Sequence, residues 1–369
     1  MQEFWIYIYF NSEYARCAKL TVVDAGYELV YEEDYLALEG AIAIDPQNLP
    51  PYKQKYESDE LFTAIIDSAP DYWGRELLNR KFSSVELAEL EYVLANGLEH
   101  VGALAYSPLE FDIPMKLSPT GWVSHKKSNV VLEQIMEQTE LLIKDVDGEK
   151  LKELFEYGPT LGGGKPKVSL VVDGELYIAK YATSLDSTPE QKIEYATMKM
   201  ATDFGFKVPK IQIAKHLDRD VFMIERFDRK IKDGNIERDH FISALSLCDW
   251  HEFGKSDWSY PVLCECIRKA GSREDEIKED LEELFKRVAF NIAVNNNDDD
   301  PRNHGLLFKE GKWRLSPLYD VVPKAIKGET FTMAMSIGIY ETEASKRNLL
   351  SATKYFEIEE KKQKELLIK

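Results

Sequence analysis

The sequence predicts an α+β chain of two lobes, preceded by a further mixed α/β region. Three observations lead there. Short β-like runs joined by tight turns, VSLVV, ELYIAK, KIQIAK and VFMIERF, dominate the middle of the chain. The composition then turns helical around one long amphipathic segment, EDLEELFKRVAFNIAV, at 279–294. Ahead of both, residues 1–125 mix strand-like with helix-like runs. A length of 369 residues supports this many compact parts. The expected divisions are 1–125, 126–230 and 231–369.

The opening region starts with FWIYIYF, AKLTVV and YELVYE, which read as strands. DELFTAIIDSAPDYWGRELLNRKF and SSVELAELEYVLANG follow as helices, with Ser83 or Ser84 as the expected cap of the second. VSHKKSNVVLEQIMEQTELLIKD is polar and then helical, a connection into the next region. GPTLGGGKPK is a glycine-rich turn with two lysines. The runs after it are joined at Asp173-Gly174, a strong hairpin signal, and ELYIAK ends on Lys180. In STPEQKIEYATMKMATDFGF, Thr188 as N-cap, Pro189 and Gln191 form a capping box. The apolar positions there are Ile193, Ala196 or Met200, and Phe204. In the long helix, Leu281, Leu284, Phe285, Val288, Ala289 and Ile292 form one stripe. The polar run NNNDDDPRNHG follows, then LLF, the turn KEGK and WRLSPLYDVV, so that a hairpin leads to Asp320.

Composition excludes several classes. At 44% hydrophobic and 30% charged, this is an ordinary soluble globular composition. No window approaches the roughly 18 apolar residues of a membrane span, so no membrane partner is expected. MQEFWIYIYFNSEY lacks a basic leader before an apolar core and is not read as a signal peptide. Four cysteines are too few for a disulfide framework. Cys264 and Cys266 have no second ligand pair, so zinc is not expected and a reducing cytoplasm fits. The net charge of −18 argues against a direct grip on DNA, which would be reached only through a basic partner.

NNNDDDPRNHG is too polar for a core and is flanked by two core-forming elements. Phosphoryl transfer from ATP needs backbone donors for phosphate, a lysine, oxygen ligands for Mg2+ and a carboxylate for the acceptor proton. Those parts occur in the order of a two-lobed kinase. Gly162, Gly163 and Gly164 precede a strand, and Lys180 closes the next one. Glu194, on the following helix, is the candidate partner of that lysine. VFMIERF suits a strand leading to a hinge. Asp298 and Asn303 have D-x-x-x-x-N spacing, and Asp320 comes one hairpin later. Taken singly, each has a bland reading: a turn, a solvated lysine, an asparagine-rich loop. Arg302 suits a γ-phosphate or the surrounding acids equally, and His304 reads as a structural histidine. An EF-hand register fails at its sixth and twelfth positions.

GPTLGGGKPK, ELYIAK, VFMIERFDR, NNNDDDPRNHGLLF and WRLSPLYDVVP resemble the HipA family of toxin serine/threonine kinases. AIAIDPQNLP, SAPDYWGRELLNRKF and VGALAYSP resemble the subdomain that precedes the HipA kinase core, so the likeness covers most of residues 40–340. It implies a two-lobed protein-kinase-like fold with a mixed α/β N-terminal subdomain and a mainly helical C-terminal lobe. It implies Asp298 as catalytic base and Asn303 with Asp320 as Mg2+ ligands. Lys180, Lys167 and the three glycines would face ATP phosphates, and the backbones of Glu225 and Phe227 would meet adenine. Thr160 matches a position that becomes autophosphorylated and switches the kinase off. The implied partners are a HipB-like helix-turn-helix antitoxin, which binds operator DNA, and a protein substrate such as an aminoacyl-tRNA synthetase. Where the family usually has histidine two residues after the catalytic aspartate, this chain has Asp300. It continues about fifty residues past Asp320, so a short C-terminal lobe is expected. Two other readings remain open: a catalytically weak co-repressor acting with its DNA-binding partner, and a small-molecule kinase.

Overall fold

The computed structural model describes residues 2–51, 55–82, 87–108, 114–119, 121–124, 132–143, 165–271, 273–325, 328 and 330–359. Thr160, Gly162, Gly163 and Gly164 lie outside the described residues. The chain divides into two compact units, residues 1–191 with 213–241, and 192–212 with 242–369. The expected division at 125 falls inside the first unit.

In that unit, β1 (Gln2–Phe10), β2 (Glu13–Val23), β3 (Gly26–Tyr31), β4 (Lys55–Ser58) and β5 (Leu104–Ser107) form a sheet in the order β4-β3-β2-β1-β5. FWIYIYF alternates as its sequence predicts until the register shifts at Ile6/Tyr7. The shift leaves Ile6, Tyr7 and Ile8 all buried. The helix expected over 59–82 is broken in two, Thr63–Ile66 and Tyr72–Lys81. Pro70 cannot donate in a continuous helix, and Asp71 caps the second piece by accepting from Gly74 N at 2.7 Å. The next helix is Glu89–Asn96. Its entry is held by the Glu91 carboxylate, which accepts from Ala88 N at 2.8 Å, rather than by a serine. Ser83 and Ser84 lie outside the described residues.

After the hairpin of β6 (Met115–Ser118) and β7 (Gly121–Ser124) comes helix Leu132–Ile143. A second sheet follows, built of β8 (Lys167–Val172), β9 (Glu175–Tyr181), β10 (Ile211–His216) and β11 (Arg219–Glu225) in the order β10-β11-β9-β8. The β8–β9 turn has positive φ at Asp173 (50°) and Gly174 (83°), the primed geometry that Asp-Gly predicts. Leu77 from helix Tyr72–Lys81 and Leu132, Ile135 and Met136 from helix Leu132–Ile143 share one core with Val168, Tyr177, Ala179 and Val221 of the sheet. Each such buried aliphatic side chain contributes roughly 1.5–3 kcal/mol. This shared core is the physical reason that the segments on either side of residue 125 fall in one compact unit. A hairpin of β12 (Arg229–Lys232) and β13 (Asn235–Arg238) closes the unit.

The second unit contains helix Glu190–Asp203 from its third residue onward. Its buried face is Glu194, Thr197, Met198 and Ala201, not the expected stripe through Met200 and Phe204, which are 41% and 53% exposed. The face is turned by about one residue, because Phe204 lies beyond the helix end and meets Phe290 at 6.2 Å instead. Helices Tyr260–Ala270 and Glu274–Val294 follow. Leu281, Leu284, Phe285 and Val288 of the predicted stripe are fully buried, joined by Arg287 and Asn291, whereas Ala289 and Ile292 are half-buried. The sheet β14 (His240–Ser243), β15 (Gly305–Lys309) and β16 (Lys312–Leu315) turns at Glu310 and Gly311, both with positive φ. Among the described residues, no helix is long and apolar enough to cross a membrane.

Candidate functional site

Helix Glu274–Val294 ends at Asn295, which takes a left-handed conformation (φ 61°) and turns the chain out of the helix. Asn296 is buried and pinned back on the helix. Its backbone N donates to Asn291 O at 2.9 Å and its amide to Asn291 Oδ1 at 3.1 Å. The next three residues alternate in environment: Asp298 is exposed, Asp299 is buried and Asp300 is half-buried. Asp300 caps a short 3-10 turn, Pro301–Asn303, by accepting from Arg302 N at 2.7 Å. Burial pushes its carboxyl up to about 6, with Asp320 and Asp299 adding and the Arg302 amide opposing. Asp300 therefore feels the Asp320 charge, and the two carboxylates belong to one neighbourhood.

The loop closes on itself. Asn303 Nδ2 donates to the Asp298 carbonyl at 3.0 Å, as does Asp300 N. With its amide group so oriented, Asn303 keeps its side-chain oxygen out of this bond. Tyr319 donates to Arg302 O at 2.7 Å, tying the loop to the segment that carries Asp320. Asp320 itself sits at φ 59°, a left-handed conformation that costs a non-glycine residue energy and is concentrated at functional positions. The guanidinium of Arg302 reaches Glu252 at 3.3 Å. Among the described residues, no three His, Cys, Asp or Glu side chains group as a metal cluster. One amide and one carboxylate suit Mg2+, which takes few protein ligands and fills its octahedron with phosphate oxygens and water.

The remaining candidates lie in the two units separately. Lys167 and Lys180 are register partners on β8 and β9. Lys167 is 5% exposed and its Nζ pairs with Asp71 at 3.2 Å. Burial pushes Asp71 up to about 6 despite that lysine. Lys167 is thus committed to the start of helix Tyr72–Lys81 rather than offered to a phosphate. Lys180 is half-buried in the first unit, and Glu194 is buried in the second.

At the end of β11 the side chains alternate again. Glu225 and Phe227 are half-buried, while Arg226, Asp228 and Arg229 are buried. Arg226 N donates to Leu176 O at 2.8 Å and its Nη1 to Ser169 Oγ at 2.9 Å, both tying it to the sheet. The Asp228 carboxylate accepts from Arg226 Nε at 2.9 Å and Nη2 at 2.8 Å, from Arg229 Nε at 3.1 Å and Nη2 at 2.9 Å, and from Gly102 N at 2.9 Å. The guanidiniums also donate to the carbonyls of Leu98, Glu99 and His100. Gly102 has φ +88°, and a Cβ there would meet Phe241 N at 3.1 Å, so this approach requires glycine. Burial disfavours the ionised carboxyl, yet Arg226 and Arg229 outweigh it and hold Asp228 far below the usual range. Burial, then Arg226 and Arg238, push Arg229 down to about 9 against the pull of Asp228.

Residues 159–368 match the HipA-like C-terminal domain, and residues 8–107 match the HipA N-terminal domain. The chain belongs to the HipA family. The HipA in a Shewanella oneidensis MR-1 complex with HipB and operator DNA superimposes with a TM-score of 0.66 at 15% identity, over 98% of this chain and 87% of that one. At that identity the likeness shows the fold, α+β and kinase-like. A Sinorhizobium fredii protein named "Putative kinase Y4mE" is 26% identical over 195 residues, 48% of this chain and 46% of the relative, so the match spans about half of that protein's length. The Helicobacter pylori proinflammatory kinase CtkA aligns over 42% of this chain with a TM-score of only 0.34.

Two groups in this HipA-family chain were not singled out from sequence as functional. Of the Arg226–Asp228–Arg229 clamp, Arg226 and Asp228 had one signal, their i, i+2 spacing at strand period, whereas Arg229 breaks that alternation and had none. Tyr260, the third member of a buried cluster with Asp299 and His304, had none: it is 39 residues from Asp299.

Proposed function

We propose that this HipA-family chain is an ATP- and Mg2+-dependent serine/threonine protein kinase, the toxin partner of a HipB-like helix-turn-helix antitoxin in the cytoplasm. The observation that carries this reading is the loop of the second unit. Its fixed backbone exposes the Asp298 carboxylate and turns Asn303 about the Asp298 carbonyl, and Asp320 lies in the same neighbourhood. Asp298 would orient the acceptor hydroxyl and take its proton. The Asn303 and Asp320 oxygens would hold Mg2+, which when bound neutralises developing phosphate charge. Lys180 would neutralise ATP phosphates, and the Glu225 and Phe227 backbones would face adenine. Family membership supports the kinase reading. The neighbour's HipB and operator DNA support an antitoxin partner, with DNA reached through it. The acidic balance of −18 suits a basic partner. Thr160 is the proposed site of inhibitory autophosphorylation, where added charge would repel ATP phosphates.

The test is transfer from γ-labelled ATP by the full chain with Mg2+. Wild type is expected to label itself and a protein acceptor. Asp298→Ala is expected to fall by at least about a hundredfold, the lower range for a positioned general base. Equal incorporation by the two proteins overturns the assignment. No incorporation by either favours the co-repressor reading, which predicts antitoxin binding without transfer.

A further inference from the structure

Asp299 lies one residue from the proposed base and is turned the opposite way, 2% exposed against an exposed Asp298. Its Oδ2 accepts two hydrogen bonds, one from the Tyr260 hydroxyl and one from His304 Nε2 at 3.0 Å. Both donors are fully buried, and their rings meet edge-on at 5.9 Å. Burial, then the adjoining Asp299 charge, raises the Tyr260 hydroxyl well above its usual range, so it stays a donor.

Each donor is itself anchored. Tyr260 opens helix Tyr260–Ala270, and its N donates to Ser336 O at 2.9 Å. The His304 carbonyl accepts from Ala244 N at 2.8 Å. Two anchored donors therefore converge on one carboxylate oxygen. The loop is gripped at its start by Asn296, at its middle by Asp299 and at its end by His304. Asp298 lies between the first two grips.

We infer that Asp299, held by Tyr260 and His304, is the positioning residue that fixes the loop and turns Asp298 outward. A buried carboxylate is a poor way to add stability, since a well-packed apolar group would serve as well or better. It is a good way to fix a backbone, because two directional bonds allow one placement. Misplacing a reacting group by about 1 Å costs on the order of a hundredfold in rate. The kinetic meaning of this role rests on the kinase reading above; the fixing of the loop does not.

Tyr260→Phe removes one donor and keeps the ring. Asp299→Asn keeps an acceptor oxygen and the shape, and Asp299→Ala keeps neither. Two readouts are taken on the full chain: the split between kcat and KM for ATP, and amide hydrogen exchange. Tyr260→Phe is expected to lower kcat about tenfold, with KM for ATP within about twofold. Asp299→Ala is expected to lose more, and Asp299→Asn to recover part of that loss. Exchange is expected to rise in residues 295–305 and to stay unchanged in helix Glu274–Val294. An unchanged loop exchange overturns the inference. So does a kcat within about twofold of wild type in both Tyr260→Phe and Asp299→Ala, or a loss that falls on KM alone. If wild type transfers no phosphate, the kinase reading fails by itself, and exchange alone decides whether Asp299 fixes the loop.

Discussion

Asp228→Ala probes how the chain leaves its second sheet. The carboxylate accepts five donors, four of them from two guanidiniums that are almost wholly buried, with side-chain exposures of 0% and 3%. Removing it leaves two cations facing each other in the interior, with the Leu98, Glu99 and His100 carbonyls and the Ser169 hydroxyl as partial compensation. Breaking a buried ion pair from one side costs about 3–5 kcal/mol. Two stranded cations argue for the upper part of that range, and the remaining carbonyl acceptors bring it back to about 4 kcal/mol. Over a unit of this size, where 1 kcal/mol moves Tm by about 2–4 °C, that is a drop of about 10 °C. Circular dichroism melts of wild type, Asp228→Ala and Asp228→Asn measure it, with the asparagine variant expected in between. Glu237→Ala, which removes the half-buried partner of the exposed Lys230 and Lys232, is the control and is expected to melt close to wild type. A Tm for Asp228→Ala within about 2 °C of wild type would refute the reasoning, because the guanidiniums would then be satisfied without the acid.

Two other expectations are open to direct measurement. Asp300→Ala loses the cap on Arg302 N, worth about 1 kcal/mol, but also removes the like charge beside Asp320. Net stability should change by less than about 1 kcal/mol while exchange at the Arg302 amide rises, and a loss above about 2 kcal/mol would contradict this. Asp45 is fully buried and accepts from Gln47 N, Asn48 N and Asn48 Nδ2, yet burial pushes it up to about 6. The folded state holds this proton more tightly than the unfolded chain, so the Asp45 contribution falls as pH rises from about 4 through 6. Asp45→Asn should gain on wild type by up to about 3 kcal/mol between pH 4 and pH 7 in denaturant unfolding; a flat difference would sink the assignment.

Local chemistry made much of this fold legible. Asp-Gly and Glu-Gly turns, the amphipathic helix read over 279–294, which starts five residues earlier in the structure, and the D-x-x-x-x-N loop depend on neighbours in sequence, and the structure forms each of them. What stayed hidden depends on partners far along the chain. Lys167 reads as a phosphate contact in the sequence and is buried against Asp71 in the fold, a partner 96 residues away. The helix with Glu194 buries Glu194 and Thr197 beside Met198 and Ala201, so apolar spacing alone chose the wrong face. Asp300 stood out as an acid where the family resemblance leads one to expect histidine, but its part as a turn cap follows from a backbone amide two residues on.

The two buried clusters follow one device. In a strand or an extended loop, neighbouring side chains point opposite ways. Burying Arg226 and Asp228 turns Glu225 and Phe227 to the more open side, and burying Asp299 does the same for Asp298. In both places the functional candidate is the less buried of two neighbours, and the residue beside it is fully buried. A buried apolar residue would turn its neighbour outward too, but it would tolerate sliding along the chain. A carboxylate with two or more directional donors would not. That difference explains why each unit carries an otherwise costly buried acid next to the residues proposed to meet ATP or its acceptor.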